Sequence, residues 1–434
     1  MKYLKLLSGA TMLFALVLMV ASCGGDDSSP TSSGDNNGGA KDEGTGTVTE
    51  ALSPDQQKQR LESTANELLN KVSAADFTEI SNIARYVNDN YSGSKTKTEA
   101  LESWWDAAMK ATEIETSGDV IKRLYLASNF VGAFEYKNGK WEKTRNGGSD
   151  LVLTFPYNSG TCVATVTASG ATYQVHHEEL DTHKYTWGYD TNGNYYSKRI
   201  TYENRLGIPE NVTVTLINGG KTLISVNVKT YIKSGTEISL SSDIAEVTVD
   251  ATVADYTINV SQAKYTGGSG ANASFEIKKN NEMLVKATAT AEGSFSDNGK
   301  LLKAGKIDVY ADVLGKVQLR GEISNFDTMK SHLDTADDNK TNETAYKTAL
   351  DNANKQLNIG VYYDNGSTKM SYLQFSAFKK SSYSGDRWDR EAVICFRDGS
   401  SYNTVDAFFD NSGFKAVKKR FEDLITNFKD LFKF

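Results

Sequence analysis

Apolar residues recur at helical spacing along residues 53–131. Ser53-Pro54-Asp55-Gln56 places an N-cap serine, a proline at the first helical position and a glutamine at the third, which indicates a helix start. Intervals of three and four then predict two helices and a third helical stretch at 98–112. The apolar positions are Leu61, Ala65, Leu68 and Val72 in the first, Phe77, Ile80, Ile83, Ala84, Val87 and Tyr91 in the second, and Leu101, Trp104, Trp105 and Ala108 in the third.

The apolar period changes to two over residues 132–323. Segments such as 212–217 and 285–291 alternate apolar and polar residues, and clusters of Asn and Gly separate them, as at Asn138-Gly139 and Asn298-Gly299. Alternation of this kind is typical of antiparallel strands with one buried and one solvated face. We therefore predict an antiparallel β-meander for this region.

One hairpin of the meander can be predicted in register. A three-residue loop, Val313-Leu314-Gly315, pairs Ala311 with Val317 and Val309 with Leu319, and it gives Gly315 a position that favours a positive φ. The same register pairs Asp312 with Lys316 and Asp308 with Arg320. A two-residue loop would mix the two faces of the hairpin.

Residues 324–434 form a C-terminal α/β segment. A helical pattern runs to about residue 357, further strands are predicted near 359–363, 368–378, 391–397 and 402–405, and a final helix carries one apolar stripe. The stripe consists of Phe414, Val417, Phe421, Leu424, Phe428 and Leu431. Docking on the sheet is favoured over a membrane-surface helix because Glu422, Asp423 and Asp430 interrupt the basic face. Helices at both ends of a long run of strands predict an α+β fold, with the helices packed on one large antiparallel sheet.

Composition narrows the classes of function. The 434-residue chain has a formal net charge of −7 and no basic stripe, which argues against nucleic-acid binding. It has only four histidines, and no nucleotide-binding or C-x-x-C motif occurs, so the sequence indicates no cofactor.

The N-terminus carries a short positive start and an apolar core too short to span a bilayer, followed by Val20-Ala21-Ser22-Cys23. This motif resembles the lipobox of bacterial lipoproteins, and Gly24-Gly25-Asp26-Asp27 resembles the acidic export signal of Bacteroides-type surface lipoproteins. The resemblance implies a signal peptide at 1–22, lipidation of Cys23, and an outer-membrane protein held by its acyl chains and facing outward, with the periplasmic face as the alternative. Residues 23–52 have no apolar pattern and predict a flexible tether.

Aromatic residues alternate in the middle of the β region. Tyr185, Trp187 and Tyr189 would share one face of a strand, and Tyr195 and Tyr196 follow after a turn at Asn192-Gly193. If exposed, such a face could stack on sugar rings, and if buried, it is core. These five residues are the candidate ligand-binding residues.

Polar clusters provide weaker candidates. His177, Glu179, Asp181 and His183 could ligate a metal, but a straight strand would separate His177 and His183 by roughly 20 Å, so a solvated segment is preferred to a metal site. Glu178, Glu179 and Asp181 are the candidate carboxylates for glycoside hydrolysis. Cys162 and Cys395 both lie in apolar strand patterns, which favours two separate buried thiols over a disulfide.

The sequence thus favours a non-catalytic binding role for a lipid-anchored surface protein, with a glycan or another envelope component as ligand. The alternatives are a hydrolase that acts on polysaccharide or peptide, and a carrier of an apolar ligand in a curved sheet, by analogy with carriers of the LolA type.

Overall fold

The computed structural model describes most of the chain after residue 51. The described residues are 52–92, 131–176, 182–189, 192, 194–202, 205–232, 237–239, 244–264, 270–295, 301–382, 385–397, 408–409 and 412–431. The predicted signal peptide, Cys23, the predicted tether up to residue 51, the predicted helical stretch at 98–112 and the predicted strand at 402–405 lie outside them.

Five α-helices of more than ten residues lie in the described parts of the chain. They are α1 (Pro54–Lys71), α2 (Thr78–Ser92), α3 (Phe326–Asp338), α4 (Glu343–Asn354) and α5 (Ser412–Leu431), and a 3-10 turn (Ala74–Phe77) joins α1 to α2. The predicted start of α1 is confirmed, since the Gln56 amide donates to Ser53 Oγ at 3.3 Å and the Ser53 amide donates to Gln56 Oε1 at 2.8 Å.

Eighteen strands are present in the described residues. They are β1 (Gly132–Lys137), β2 (Lys140–Asn146), β3 (Asp150–Tyr157), β4 (Gly160–His176), β5 (Thr182–Tyr189), β6 (Tyr195–Tyr202), β7 (Arg205–Asn218), β8 (Lys221–Ile232), β9 (Glu237–Ser239), β10 (Ile244–Val253), β11 (Tyr256–Lys264), β12 (Ala271–Lys279), β13 (Glu282–Phe295), β14 (Leu301–Val313), β15 (Val317–Ile323), β16 (Leu357–Tyr363), β17 (Ser371–Ser382) and β18 (Gly385–Phe396).

Sixteen of these strands form one sheet. The order is β18-β17-β16-β15-β14-β13-β12-β11-β10-β8-β7-β4-β3-β1-β2, with β9 paired to β4, and β5 pairs only with β6 in a separate hairpin. Neighbouring strands are antiparallel except for β1 with β3 and β4 with β9. The fold is α+β, and the predicted meander of neighbouring strands is confirmed from β10 to β18.

The two faces of the large sheet differ in chemistry across its width. One cross-strand row is apolar throughout, and consists of Val212, Val228, Val249, Val260, Phe275, Ala287, Ala311, Leu319 and Val361. On the opposite face, the adjacent row is polar except for the ring of Tyr310. It consists of Asn211, Lys229, Thr248, Ser261, Ser274, Thr288, Tyr310 and Arg320. We call these the apolar face and the polar face.

Helices cover parts of the apolar face. Ile80, Ile83 and Val87 of α2 join a buried cluster with β1, β2, β3, β4, β7 and β8, and Leu68 of α1 joins another with β11, β12 and β13. Phe414 of α5 contacts the cluster formed by β16, β17 and β18. The predicted docking of the last helix is therefore confirmed, although α5 also packs along α1, where Arg420 donates to Asn70 at 2.7 Å.

The predicted register of the β14–β15 hairpin is wrong by two residues. Val313 pairs with Val317, so the three-residue loop is 314–316, and Tyr310 rather than Asp308 lies opposite Arg320. The loop length and the positive φ of Gly315 (68°) are confirmed. The turn shifts because Leu314 also adopts a positive φ and the Gly315 amide donates to Asp312 Oδ1 at 2.8 Å.

The two thiols are buried and separate, as predicted. Cys162 lies in β4 and Cys395 in β18, with ten strands between them in the sheet order. A disulfide requires Cα atoms about 4.4–6.8 Å apart, close to the spacing of two adjacent strands. The distribution of the two cysteines in the sheet therefore excludes a bond between them.

Candidate functional site

The five candidate aromatic residues lie on the hairpin formed by β5 and β6. Tyr189 pairs with Tyr195, and Trp187 pairs with Ser197. Because alternate residues of a strand share a face, Tyr185, Trp187, Tyr189 and Tyr195 form one row, which we call the aromatic strip. Tyr196 lies on the opposite face of the hairpin, beside Gly188.

The aromatic strip is exposed to solvent. Its side chains are accessible to 51% in Tyr185, 66% in Trp187, 72% in Tyr189 and 63% in Tyr195. Tyr196, on the other face, is accessible to 47%. Contiguous apolar surface of this kind is unusual on a folded protein and typically marks a binding surface. The sequence alone left open whether these residues are core or surface, and the structure places them at the surface.

Ring contacts order the strip. The rings of Tyr185 and Trp187 are nearly parallel, with centroids 6.4 Å apart and an interplanar angle of 11°. Tyr189 and Tyr195 make an edge-to-face contact at 5.7 Å. Such contacts limit the rotamers of exposed side chains and so reduce the entropy that a ligand would have to remove.

Polar side chains border the aromatic strip at one end. Arg199 pairs with Tyr185 across the hairpin and contacts the ring of His183, whose Nδ1 lies 3.1 Å from Thr201 Oγ1. Arg199 was not among the residues singled out from the sequence. A two-residue turn at Asn192-Gly193 would have paired Tyr185 with Ile200, so that turn signal does not predict the observed pairing of Tyr185 with Arg199.

Of the metal and hydrolase candidates, His183 borders the aromatic strip. His177, Glu178, Glu179 and Asp181 lie outside the described residues, and His183 is exposed beside Thr201 and Arg199. Within the described part of the chain, no group of three or more His, Cys, Asp or Glu side chains is arranged to hold a metal ion. Neither β5 nor β6 contains an Asp or Glu residue, so the aromatic strip carries no acid–base pair of its own.

Comparison with known proteins identifies no relative. No protein-family model, no curated protein and no solved structure matches the chain. Among the described helices, none is both long enough and apolar enough to cross a membrane.

Proposed function

We propose that the protein is a lipid-anchored lipoprotein of the outer membrane that binds glycans without catalysis, with its body facing outward. The observation that supports this proposal is the exposed aromatic strip. The C–H face of a sugar ring is apolar, so a flat aromatic ring can cover it and remove apolar surface from water.

Neighbouring polar groups complete the chemistry of a sugar site. Ser197 lies opposite Trp187, and Arg199 lies opposite Tyr185, so hydroxyl and guanidinium groups border the rings. A hydroxyl both donates and accepts hydrogen bonds, and a guanidinium is a multiple donor, which suits the hydroxyl groups of a sugar. The lack of a carboxylate on either strand favours binding over hydrolysis.

The N-terminal segment would place this surface away from the membrane. The thirty residues 23–52 are rich in Gly, Ser, Asn and Asp. A flexible chain of that length has a root-mean-square end-to-end distance of about 30 Å. Acyl chains on Cys23 would insert into the bilayer and hold the start of the tether at the membrane, because each buried methylene contributes about 0.8 kcal/mol.

Glycan binding is tested with an array probed by the mature chain carrying Cys23→Ser, which removes the acylation site. We expect binding to one class of glycan and its loss in Trp187→Ala and Tyr189→Ala. Tyr231→Ala is the matched control, because Tyr231 is also half-exposed but lies on the large sheet. No binding to any glycan, or equal binding by all variants, would refute the glycan proposal.

The anchor is tested separately by mass spectrometry of the native N-terminus and by protease treatment of intact cells. We expect a mature chain that begins at acylated Cys23 and is digested without lysis. A different first residue contradicts the anchor, and digestion only after lysis contradicts the outward orientation.

A further inference from the structure

A second surface with binding chemistry lies on the polar face of the large sheet, where β13, β14, β15 and β16 are adjacent. It is a concavity of about 430 Å³, within the size range of small-molecule sites. Its polar and aromatic lining consists of Thr288, Thr290, Asp308, Tyr310, Arg320, Glu322, Asn358 and Tyr362.

The charges around this concavity balance. Lys306 Nζ lies 2.8 Å from Asp308 Oδ1 and 2.9 Å from Glu322 Oε2, so one cation bridges two carboxylates. The guanidinium of Arg320 provides the second positive charge and lies 4.0 Å from the ring centroid of Tyr362. Lys369 Nζ, which donates to Asn358 Oδ1 at 2.7 Å, and the Asp312 carboxylate that accepts from Tyr310 add one charge of each sign. Three cations and three carboxylates give no net charge, so the site does not select for an ion of either sign.

Hydrogen bonds hold the floor of the concavity in one arrangement. Tyr310 donates to Asp312 Oδ2 at 2.9 Å, and Gln318 donates to the same oxygen at 3.3 Å and to Asn365 Oδ1 at 2.6 Å. Arg320 donates to the Gly366 carbonyl. Ligands bind more tightly to side chains that are already ordered, because less entropy is lost.

A glycine permits the close approach of β15 and β16 below the concavity. Gly321 has a φ of 149°, and a Cβ there would lie 1.9 Å from the Asn358 carbonyl oxygen. Any other residue would clash with that backbone. The shape of the concavity therefore depends on a position that only glycine can occupy.

We propose that this concavity binds one neutral sugar unit. Carboxylate oxygens of Asp308 and Glu322 can accept from sugar hydroxyls, and Asn358 and Arg320 can donate to them. An anionic ligand would meet two carboxylates, and a cationic ligand would compete with Lys306 for them. The proposal does not depend on the aromatic strip, because no residue of β5 or β6 takes part.

The test uses saturation-transfer NMR with the mature Cys23→Ser chain and the methyl glycosides of glucose, galactose, mannose and N-acetylglucosamine. N-acetylneuraminic acid and lysine serve as charged probes. We expect transfer to at least one methyl glycoside, and affinities weakened by about tenfold or more in Asp308→Asn and Glu322→Gln, the effect of losing one hydrogen bond to a charged group.

Matched variants separate this site from the aromatic strip. Asp250→Asn makes the same change on β10 of the polar face, outside the concavity, and is expected to bind like the parent chain. Trp187→Ala is also expected to bind the monosaccharide normally. The proposal is overturned if only the charged probes bind, if no probe binds, if both concavity variants bind normally, or if Trp187→Ala abolishes the signal. Thr290→Val, on an exposed position, repeats the test should either carboxylate variant fail to fold.

Discussion

Strand β3, on the covered part of the apolar face, and strand β5, in the hairpin, both place large apolar side chains at alternate positions, with opposite outcomes. Trp141 and Phe155 are 7% and 2% accessible and pack edge to face at 6.0 Å. Trp187 and Tyr189, by contrast, are exposed over most of their surface. The difference is the helix α2, which covers the first pair, whereas the rings of the second pair are exposed to solvent.

The comparison shows that alternation identifies a face of a strand but not what covers it. An aromatic side chain buries about 150–250 Å², which corresponds to roughly 4–6 kcal/mol at about 25 cal/mol per Å² as an upper bound. The hairpin forgoes this stabilisation at four neighbouring positions. Such a cost is expected where the rings serve a ligand and not the fold.

The largest effect is expected from matched Trp→Ala substitutions. Trp141→Ala should lower the free energy of unfolding by about 3–5 kcal/mol, because it removes a buried ring beneath α2. Trp187→Ala should change it by less than about 0.5 kcal/mol, because the ring is already in water. Guanidinium unfolding followed by circular dichroism measures both values.

The same two variants also test whether the ring of Trp187 is exposed to solvent. A loss of several kcal/mol in Trp187→Ala would mean that another part of the chain covers the hairpin. In that case the aromatic strip would be core, and the proposed glycan site would lose its supporting observation.

Much of the fold was predictable from local chemistry. Ser53 and Gln56 determine the start of α1, and alternation assigns residues such as Val309 and Ala311 to the apolar face. These features depend on neighbours in the chain, so one sequence is sufficient to predict them.

The β14–β15 register shows where this reasoning fails. A shift of two residues leaves every side chain on its face, so alternation does not distinguish the two registers. The choice depends on the turn, where Asp312 binds the Gly315 amide and Leu314 adopts a positive φ. Non-Gly residues rarely adopt that conformation, and the sequence offers no signal for it at Leu314.

The concavity was not predictable for a different reason. Its lining comes from four strands, and Thr288 and Asn358 are seventy residues apart in the chain. A single sequence does not show which polar positions become neighbours across several strands. The aromatic strip was predictable because its residues lie within eleven consecutive positions, 185–195.

An intermediate effect is expected where a polar cluster fixes the covering helices on the apolar face. Tyr256 donates to Asp76 Oδ2 at 2.6 Å, and Lys279 Nζ lies 2.6 Å from the same oxygen. Tyr256→Phe should lower the free energy of unfolding by about 1–2 kcal/mol, because a hydrogen bond to a charged group is lost while the ring remains. Tyr231→Phe, at an exposed position, should have no measurable effect.

The pH dependence of this variant follows from Asp76. Although partial burial acts in the opposite direction, hydrogen bonds from Lys279 and Tyr256 lower the pKa of Asp76 below its usual 3.8. The stabilisation that the ionised Asp76 contributes is fully present above pH 3.8 and is lost as the pH falls through the lowered pKa of the folded protein. The difference between Tyr256→Phe and the parent chain should therefore shrink in acid. Equal differences at pH 7 and below pH 3 would contradict the assigned hydrogen bond.

The smallest effect is expected on the polar face, at a carboxyl that is partly buried. Burial, with a contribution from the charge of Asp389, raises the pKa of Glu391 in the edge strand β18 to about 7, whereas the unfolded chain ionises near 4.5. Between these values the folded protein retains a proton that the unfolded chain has released. Stability therefore decreases as the pH rises from 4.5 to 7.

Glu391→Gln cannot ionise, so its melting temperature should exceed that of the parent chain at pH 8 by a few degrees and match it at pH 4. Glu246→Gln, at an exposed position on the same face, should follow the parent chain at both values. A constant difference between Glu391→Gln and the parent chain across this range would show that the Glu391 carboxyl is hydrated, and that the edge of the polar face is as open to water as the hairpin.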